Sequence, residues 1–492
     1  MTFRRPTCRR LIAALLGCFV CQSTRAEETP VPKEIGIQPS HIQGTWEGWG
    51  CSLAWWAKIF GDRDDLADAF FTTQPVTLND QTLPGLGMTI VRYNAGACSW
   101  NEIDDRKMRV SKIIKPFRQI EGFWLDGKNA DPDSASWDWS VDANQRAMLL
   151  KARDRGANRF ELFSNSPMWW MCANDNPSGA ADGKKDNLRP DQHRNFAIYL
   201  AAIAKRAKEK WGIAFTTVEP FNEPVTDYWF ADCKQEGCHF DPRTQAKFLP
   251  VLREELDKQG LKDLEISASD ETAFDQAVAT WNSYPAAIRK LVSQINVHGY
   301  QGRKGRRDLV EQAARKDGKR LWNSEYGEKN ADGLEMAYNL HLDFRYLRPV
   351  AWCYWQPLDH VGWGLIRTDG DLATKVLHEA NPKYYVLAQY SRHIRPGMKV
   401  IETGDLETIA AIDPPTRRLV LVVLGGEKAG QKVFDLSKLS LANAKVTRWI
   451  TEPKATARYE RHEEAPLTSK TFQVKVPAYS VQTFEIQAPA AP

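Results

Sequence analysis

Two short stretches place carboxylates in surroundings that are otherwise apolar and aromatic. In VEPFNEPVTDYW, residues 218–229, Glu219 and Glu223 stand four positions apart, each beside a proline, and Asn222 precedes the second. In KRLWNSEYG, residues 319–327, Glu325 is flanked by Trp322 and Tyr326. Burying a carboxylate is costly unless it is paired or at work. Two carboxyl groups converging on one site suit the cleavage of a glycosidic bond: one protonates the leaving oxygen and the other attacks the anomeric carbon.

Such residues need elements to position them. Strand-like runs occur near 48 (GWGCSLAW), 87 (GMTIVRYNAG), 158 (NRFELFSNSP), 215 (FTTVEPFNEP), 264 (LEISASDE), 294 (QINVHGY), 319 (KRLWNSEYG) and 350 (VAWCYWQP). Between them lie helix-length segments such as FAIYLAAIAKRAKEKW and QAKFLPVLREELDKQG, with apolar residues at three- and four-residue spacing. Eight strand–helix units in about 350 residues predict a (β/α)8 TIM barrel over 46–394. From 395 to 492 the pattern changes to short alternating strands with turns between them, which predicts an appended all-β sandwich. Residues 27–45 are expected to join that sandwich, because the barrel begins only after them.

Function in such a barrel gathers where the strands end. The strand ends supply Trp55, Arg92, Asn165 with Trp169, Asn222 with Glu223, Asp270, His298, Tyr300, Glu325 and Trp355. Glu223 and Glu325 close the fourth and seventh strands. About half of the 18 tryptophans fall in these loops, and flat aromatic faces beside carboxylates suit sugar rings.

The first 26 residues combine arginines, an apolar run from Leu11 to Cys21 and a small-residue site after Ala26, the pattern of a secretory signal. The run is about half of what spans a bilayer. A lipid anchor on Cys18 is the alternative. The leader holds five of the 66 basic residues, so the remainder has 61 bases against 62 acids, a net of −1. The apparent basicity leaves with the leader, and with it the case for a nucleic-acid partner. Six cysteines remain, and Cys233 with Cys238 could staple one loop. None has the CxxC spacing of a zinc site, and the nine histidines include no HxH or HExxH pair, so no metal is expected.

GWGCSLAWWA, VRYNAG, SNSPMWWM, VEPFNEP, WNSEYG and KYYVLAQYSRHIRPG together resemble glycoside hydrolase family 30, most closely its endo-β-1,6-galactanase branch. The resemblance runs through nearly all of the mature chain in the family's order. It implies a retaining hydrolase without metal or cofactor, in which Glu223 is the acid/base and Glu325 the nucleophile. Cys51 stands where many relatives carry a smaller or hydroxylated residue, and the 229–242 loop has its own cysteines.

On this reading Asn222 bonds the sugar's 2-hydroxyl, and Trp355 is the main platform. Arg92, Trp55, Asn165, Trp169, His298 and Tyr300 are further substrate-binding candidates. Arg92 is expected to lower the nucleophile's pKa. Glu219, one layer deeper than Glu223, is expected to be a buried partner of Arg92 or a lysine. The expected substrate is β-1,6-galactan, a polysaccharide, cleaved outside the cell or in a periplasm by a monomer. The same fold acting on β-1,6-glucan or glucuronoxylan, or a non-catalytic carbohydrate-binding barrel, are the alternatives.

Overall fold

The computed structural model describes residues 34–441 and 443–488. The expected leader and the Cys18 anchor lie outside these residues.

Eight parallel strands close a barrel: β1 (Gly48–Ser52), β2 (Ile90–Asn94), β3 (Arg159–Phe163), β4 (Thr217–Glu219), β5 (Glu265–Glu271), β6 (Val292–His298), β7 (Arg320–Tyr326) and β8 (Ala351–Tyr354). Each of the eight runs read from the sequence falls on one of them, although the sixth strand begins two residues before its run. The strands pair in chain order, and β8 returns to β1 with Tyr354 opposite Cys51. β1 and β2 approach so closely that a Cβ on Gly50 would meet the Ile90 carbonyl oxygen at 2.5 Å, so this crossing needs glycine.

The helices start and stop where the residues dictate. Asp241 accepts from the Arg243 amide at 2.8 Å, and Pro242 fills the first turn of the helix Pro242–Lys258. Gly260, at φ +76°, follows its end. The helix His193–Arg206 continues as a π turn, Ala207–Trp211, and stops at Gly212 with φ +66°.

Inside the barrel the deep layer is polar. Arg92, Glu161, Thr217, Glu219, Ser267, Gln294 and Asn296 are all buried. One carboxylate organises them: Glu161 accepts from Arg92 Nε (2.8 Å), Thr217 Oγ1 (2.8 Å), Ser267 Oγ (3.0 Å) and Asn296 Nδ2 (3.0 Å). Charges in this position persist because their bonds are satisfied. The apolar core lies outside, between the strands and the helix ring.

A seven-stranded sheet contains Ile42–Thr45, Lys399–Ile401, Thr408–Asp413, Arg418–Leu424, Val481–Gln487, Ala444–Thr451 and Glu460–Leu467. A three-stranded sheet contains Glu34–Gly36, Gly430–Asp435 and Thr471–Val476. Two strands that precede the barrel therefore pair with strands that follow it. The reading from sequence did not foresee Gly430–Asp435 or Glu460–Leu467, whose exposed faces lack a clear apolar alternation. Nor did it foresee a small sheet after β8, formed by Leu358–His360, Ile366–Thr368 and Leu377–Ala380.

Candidate active site

β4 ends at Glu219, and four residues later the chain turns through Glu223 at φ +50°, a backbone region that disfavours most side chains. Three bonds hold the turn. The Glu223 amide donates to Asp270 O (2.8 Å), and its carbonyl accepts from Trp229 Nε1 (2.9 Å) and Thr226 Oγ1 (2.8 Å). A strained residue fixed this firmly commonly marks a functional site. Here the turn aims the carboxyl group across the barrel mouth. Register shifts between β6 and β7 at Val297/His298 set His298 opposite Glu325.

One oxygen of Glu223 and one of Glu325 lie within 4.8 Å of each other, with a His298 ring nitrogen within the same distance of both. Glu223 Oε1 is 3.1 Å from His298 Nδ1, and Oε2 accepts from the Tyr228 hydroxyl. Glu325 Oε1 accepts from Tyr300 Oη (2.9 Å), and Oε2 from Arg92 Nη1 (3.1 Å). Behind them, His298 Nε2 lies 3.1 Å from Asp270 Oδ1, and Asp270 Oδ2 is paired with Arg92.

The electrostatics follow from this packing. Burial pushes the Glu325 carboxyl up to about 7, against the opposing charges of His298 and Arg92. Arg92 lowers the Glu325 value, as expected, but desolvation outweighs it. Burial works against an imidazolium at His298, yet the Glu325 and Asp270 carboxylates outweigh it and hold the ring well above its ordinary value. Its neighbours therefore favour the charged form of the ring.

Glu219 is fully buried, and desolvation with the neighbouring Asp270 and Glu161 charges holds it well above the ordinary carboxylate range. It accepts from Asn296 Nδ2 (3.2 Å) and is not an ion-pair partner of Arg92. Glu161 takes that place, because β3 lies directly beside β2 and pairs Glu161 with Arg92 in register.

The two carboxyl groups open onto a cleft of about 670 Å³. Trp55, Tyr300 and Trp355 line it as expected; Trp55 and Trp355 meet edge to face, centroids 5.0 Å apart. Asn222 Oδ1 and both side-chain polar atoms of Asn165 are buried without a partner among the described residues, and neither residue lines the cleft itself. Arg92 and His298 are wholly buried and act behind the carboxylates, so neither can bind sugar directly. Trp169 is also wholly buried, its indole donating to Ser99 Oγ at 2.7 Å, and is not a platform. The strand-end rule placed Trp169 near the mouth but could not tell which way its ring turns.

Reading from sequence missed Arg118, Tyr228, Phe230, Asp359 and Trp363 in the cleft wall. They lie on long connections, where strand ends give no cue. Arg118 sits over the Trp55 ring, 4.5 Å from its centroid. The expected Cys233–Cys238 bridge is absent: all six described cysteines are free thiols. The loop is held by other means. Glu236, fully buried, accepts from Ile120 N (3.1 Å), Asn94 Nδ2 (3.3 Å) and Cys98 Sγ (3.1 Å), and Cys233 O accepts from Ser111 Oγ (2.6 Å).

A family model for O-glycosyl hydrolase family 30 matches residues 32–284. The chain is 49% identical over 479 residues to an endo-beta-1,6-galactanase of Hypocrea rufa, covering 97% of this chain and 98% of that protein. It is 24% identical over 534 residues to an exo-beta-1,6-galactobiohydrolase of Bifidobacterium longum subsp. longum, of whose length it spans 34%. Among solved structures, a conserved exported protein of Bacteroides fragilis superimposes with a TM-score of 0.76 at 20% identity, over 92% of this chain and all of that one. A family 30 subfamily 8 xylanase of Clostridium acetobutylicum does so at 0.68 and 19%, over the same shares.

Proposed function

The chain belongs to glycoside hydrolase family 30 and is a glycosidase, and we propose that it cleaves β-1,6-galactan with net retention, Glu223 as acid/base and Glu325 as nucleophile. The observation that carries the mechanism is the separation of the two carboxyl groups. Oxygens within 4.8 Å fit the spacing of about 5–5.5 Å at which one carboxylate can reach the anomeric carbon directly. An inverting site keeps its carboxyls roughly 6.5–9.5 Å apart to admit a water between them.

In the first step Glu325, oriented by Arg92 and Tyr300, attacks the anomeric carbon while Glu223 gives its proton to the departing oxygen. In the second step Glu223, now ionised, takes a proton from water, which displaces Glu325 from the sugar. His298 Nδ1, 3.1 Å from Glu223 Oε1, orients that carboxyl group. Asn222, the residue before Glu223, is the candidate partner for the 2-hydroxyl.

The substrate assignment is supported by the 49% identity to the Hypocrea rufa galactanase over nearly the full length of both chains. The test is a product profile on debranched arabinogalactan, β-1,6-glucan and glucuronoxylan. β-1,6-Galactooligosaccharides should appear from the first alone. Equal or greater release from either of the others overturns the substrate.

Export as a monomer, to the outside or to a periplasm, is part of the same proposal. It rests on the signal-like residues 1–26 and on a site complete within one chain.

A further inference from the structure

A second depression lies against the outer side of the Tyr228 ridge. It encloses about 500 Å³ and is lined by Lys184, Val225, Thr226, Asp227, Tyr228, His239, Thr272 and Gln276. Tyr228 and Thr272 also line the cleft that holds Glu223 and Glu325, so the two spaces share a wall.

The order of barrel strands gives this groove a direction. Glu325 ends β7, and the cleft wall beyond it comes from β8 and β1, with Trp355, Trp363 and Trp55. Glu223 follows β4 across the barrel. The groove lies between the segments that follow β4 and β5: Val225–Tyr228 on one side, Thr272 and Gln276 on the other. During cleavage the sugar that becomes bonded to Glu325 stays on the tryptophan side. The departing oxygen is the one that receives the Glu223 proton, so the chain attached to it runs toward Glu223 and past it. The groove lies along that path.

Its lining suits hydroxyl groups. Gln276 Oε1 is buried without a hydrogen-bond partner among the described residues, an uncommon state that a ligand hydroxyl would relieve. Asp186 Oδ1 takes His239 Nδ1 at 3.0 Å, which fixes the ring and leaves Nε2 for another partner. Lys184, exposed at the rim, adds a flexible donor. There is no tryptophan here, in contrast with the tryptophan side of the cleft.

We infer that this groove is a leaving-group subsite, which binds by their hydroxyls the neutral sugar units on the far side of the cleaved bond. The inference rests on Glu223 being the acid/base.

The test compares the full-length enzyme with Gln276→Trp, which fills the groove, and with a Lys184→Ala/Gln276→Ala double variant. Two substrates are used: debranched β-1,6-galactan, and a nitrophenyl β-glycoside of β-1,6-galactobiose, whose leaving group is a single aryl ring. The ratio of kcat/KM on galactan to kcat/KM on the aryl glycoside should fall about tenfold in both variants, the effect of losing one or two hydrogen bonds. An unchanged ratio overturns the subsite, and so does an equal fall on both substrates, which would mean damage to the fold or the chemistry. Failure of the substrate reading is separately visible, as absence of wild-type turnover on galactan. The ratio is then taken on whichever glycan is cut, and it decides the groove in the same way.

Discussion

Replacing Glu325 with glutamine removes the atom that attacks the anomeric carbon and leaves Arg92 and Tyr300 facing a neutral amide. Turnover should fall by at least ~10,000-fold on every substrate, because no later step can begin. Glu223→Ala should behave differently. Galactan hydrolysis should drop by roughly 100- to 10,000-fold, while an aryl glycoside with a good leaving group still forms the covalent intermediate. Azide should then release it as the β-glycosyl azide. An inverted first product by NMR, or azide rescue of a Glu219 variant in place of the Glu223 one, would overturn the roles. The pH profile belongs at the same scale. Glu325 must be ionised to attack, and burial holds it at about 7, so the acid limb of kcat/KM should lie above the ordinary carboxylate range. His298 pulls that value down, so His298→Gln should move the limb to higher pH; a shift to lower pH would refute its charge. These residues were legible in the sequence because strand ends and family motifs fall on them. Arg118 and Trp363 were not legible, because their placing depends on how long connections fold back over the mouth.

At the scale of elements, the 229–242 loop shows how a cleft wall is fixed without a covalent tie. Glu236 reaches under the segment after β2 and accepts bonds from two side chains and the Ile120 amide. Glu236→Ala leaves buried donors unsatisfied, at a cost of about 1–3 kcal/mol. The loop carries Phe230 and Lys234 into the cleft wall, so KM for galactan should rise more than kcat falls. Thermal melting and steady-state kinetics together check this. If KM does not change, the loop does not shape binding. Reductant should alter neither stability nor KM, because the described cysteines are free. Cysteine spacing suggested a bridge between positions 233 and 238, but spacing reports only reach along the chain. Whether two thiols face each other depends on the backbone path between them, and Glu236 and its partners set that path. The eight barrel strands were legible for the opposite reason: each is a short local run between helix-length segments, several rich in β-branched or aromatic residues, such as IVRYN and AWCY.

Across the whole molecule, barrel and sandwich share structure. The helix Pro382–Ser391 lies against the sheet, with Gln389 Nε2 donating to Thr451 Oγ1 (2.9 Å) and Thr483 Oγ1 to Gln389 O (2.7 Å). Val400, Val420, Val422 and Val481 of the sheet belong to the same apolar cluster as the barrel. The two parts should therefore melt in one transition, with a pH dependence set by buried acids. Burial pushes Glu236 and Glu271 up to about 7 and Asp142 up to about 8. The folded chain keeps these protons at pH values where the unfolded chain has released them. Their stabilising effect is complete below the unfolded carboxylate value near 4 and is lost as pH rises through about 7–8. Asp186 and Glu485 are shifted the other way: burial works against their charge, but hydrogen bonds from His239, Thr244 and the Asp241 amide to the first, and from His393 and Arg418 to the second, outweigh it. Their contribution is present above the unfolded carboxylate value and disappears as pH falls below it. The two sets together place maximal stability at mildly acidic pH. Calorimetry should show a single transition whose Tm falls on the order of 5 °C between pH 6 and 8. A Tm that rises across that interval would mean that the buried acids are ionised in the fold.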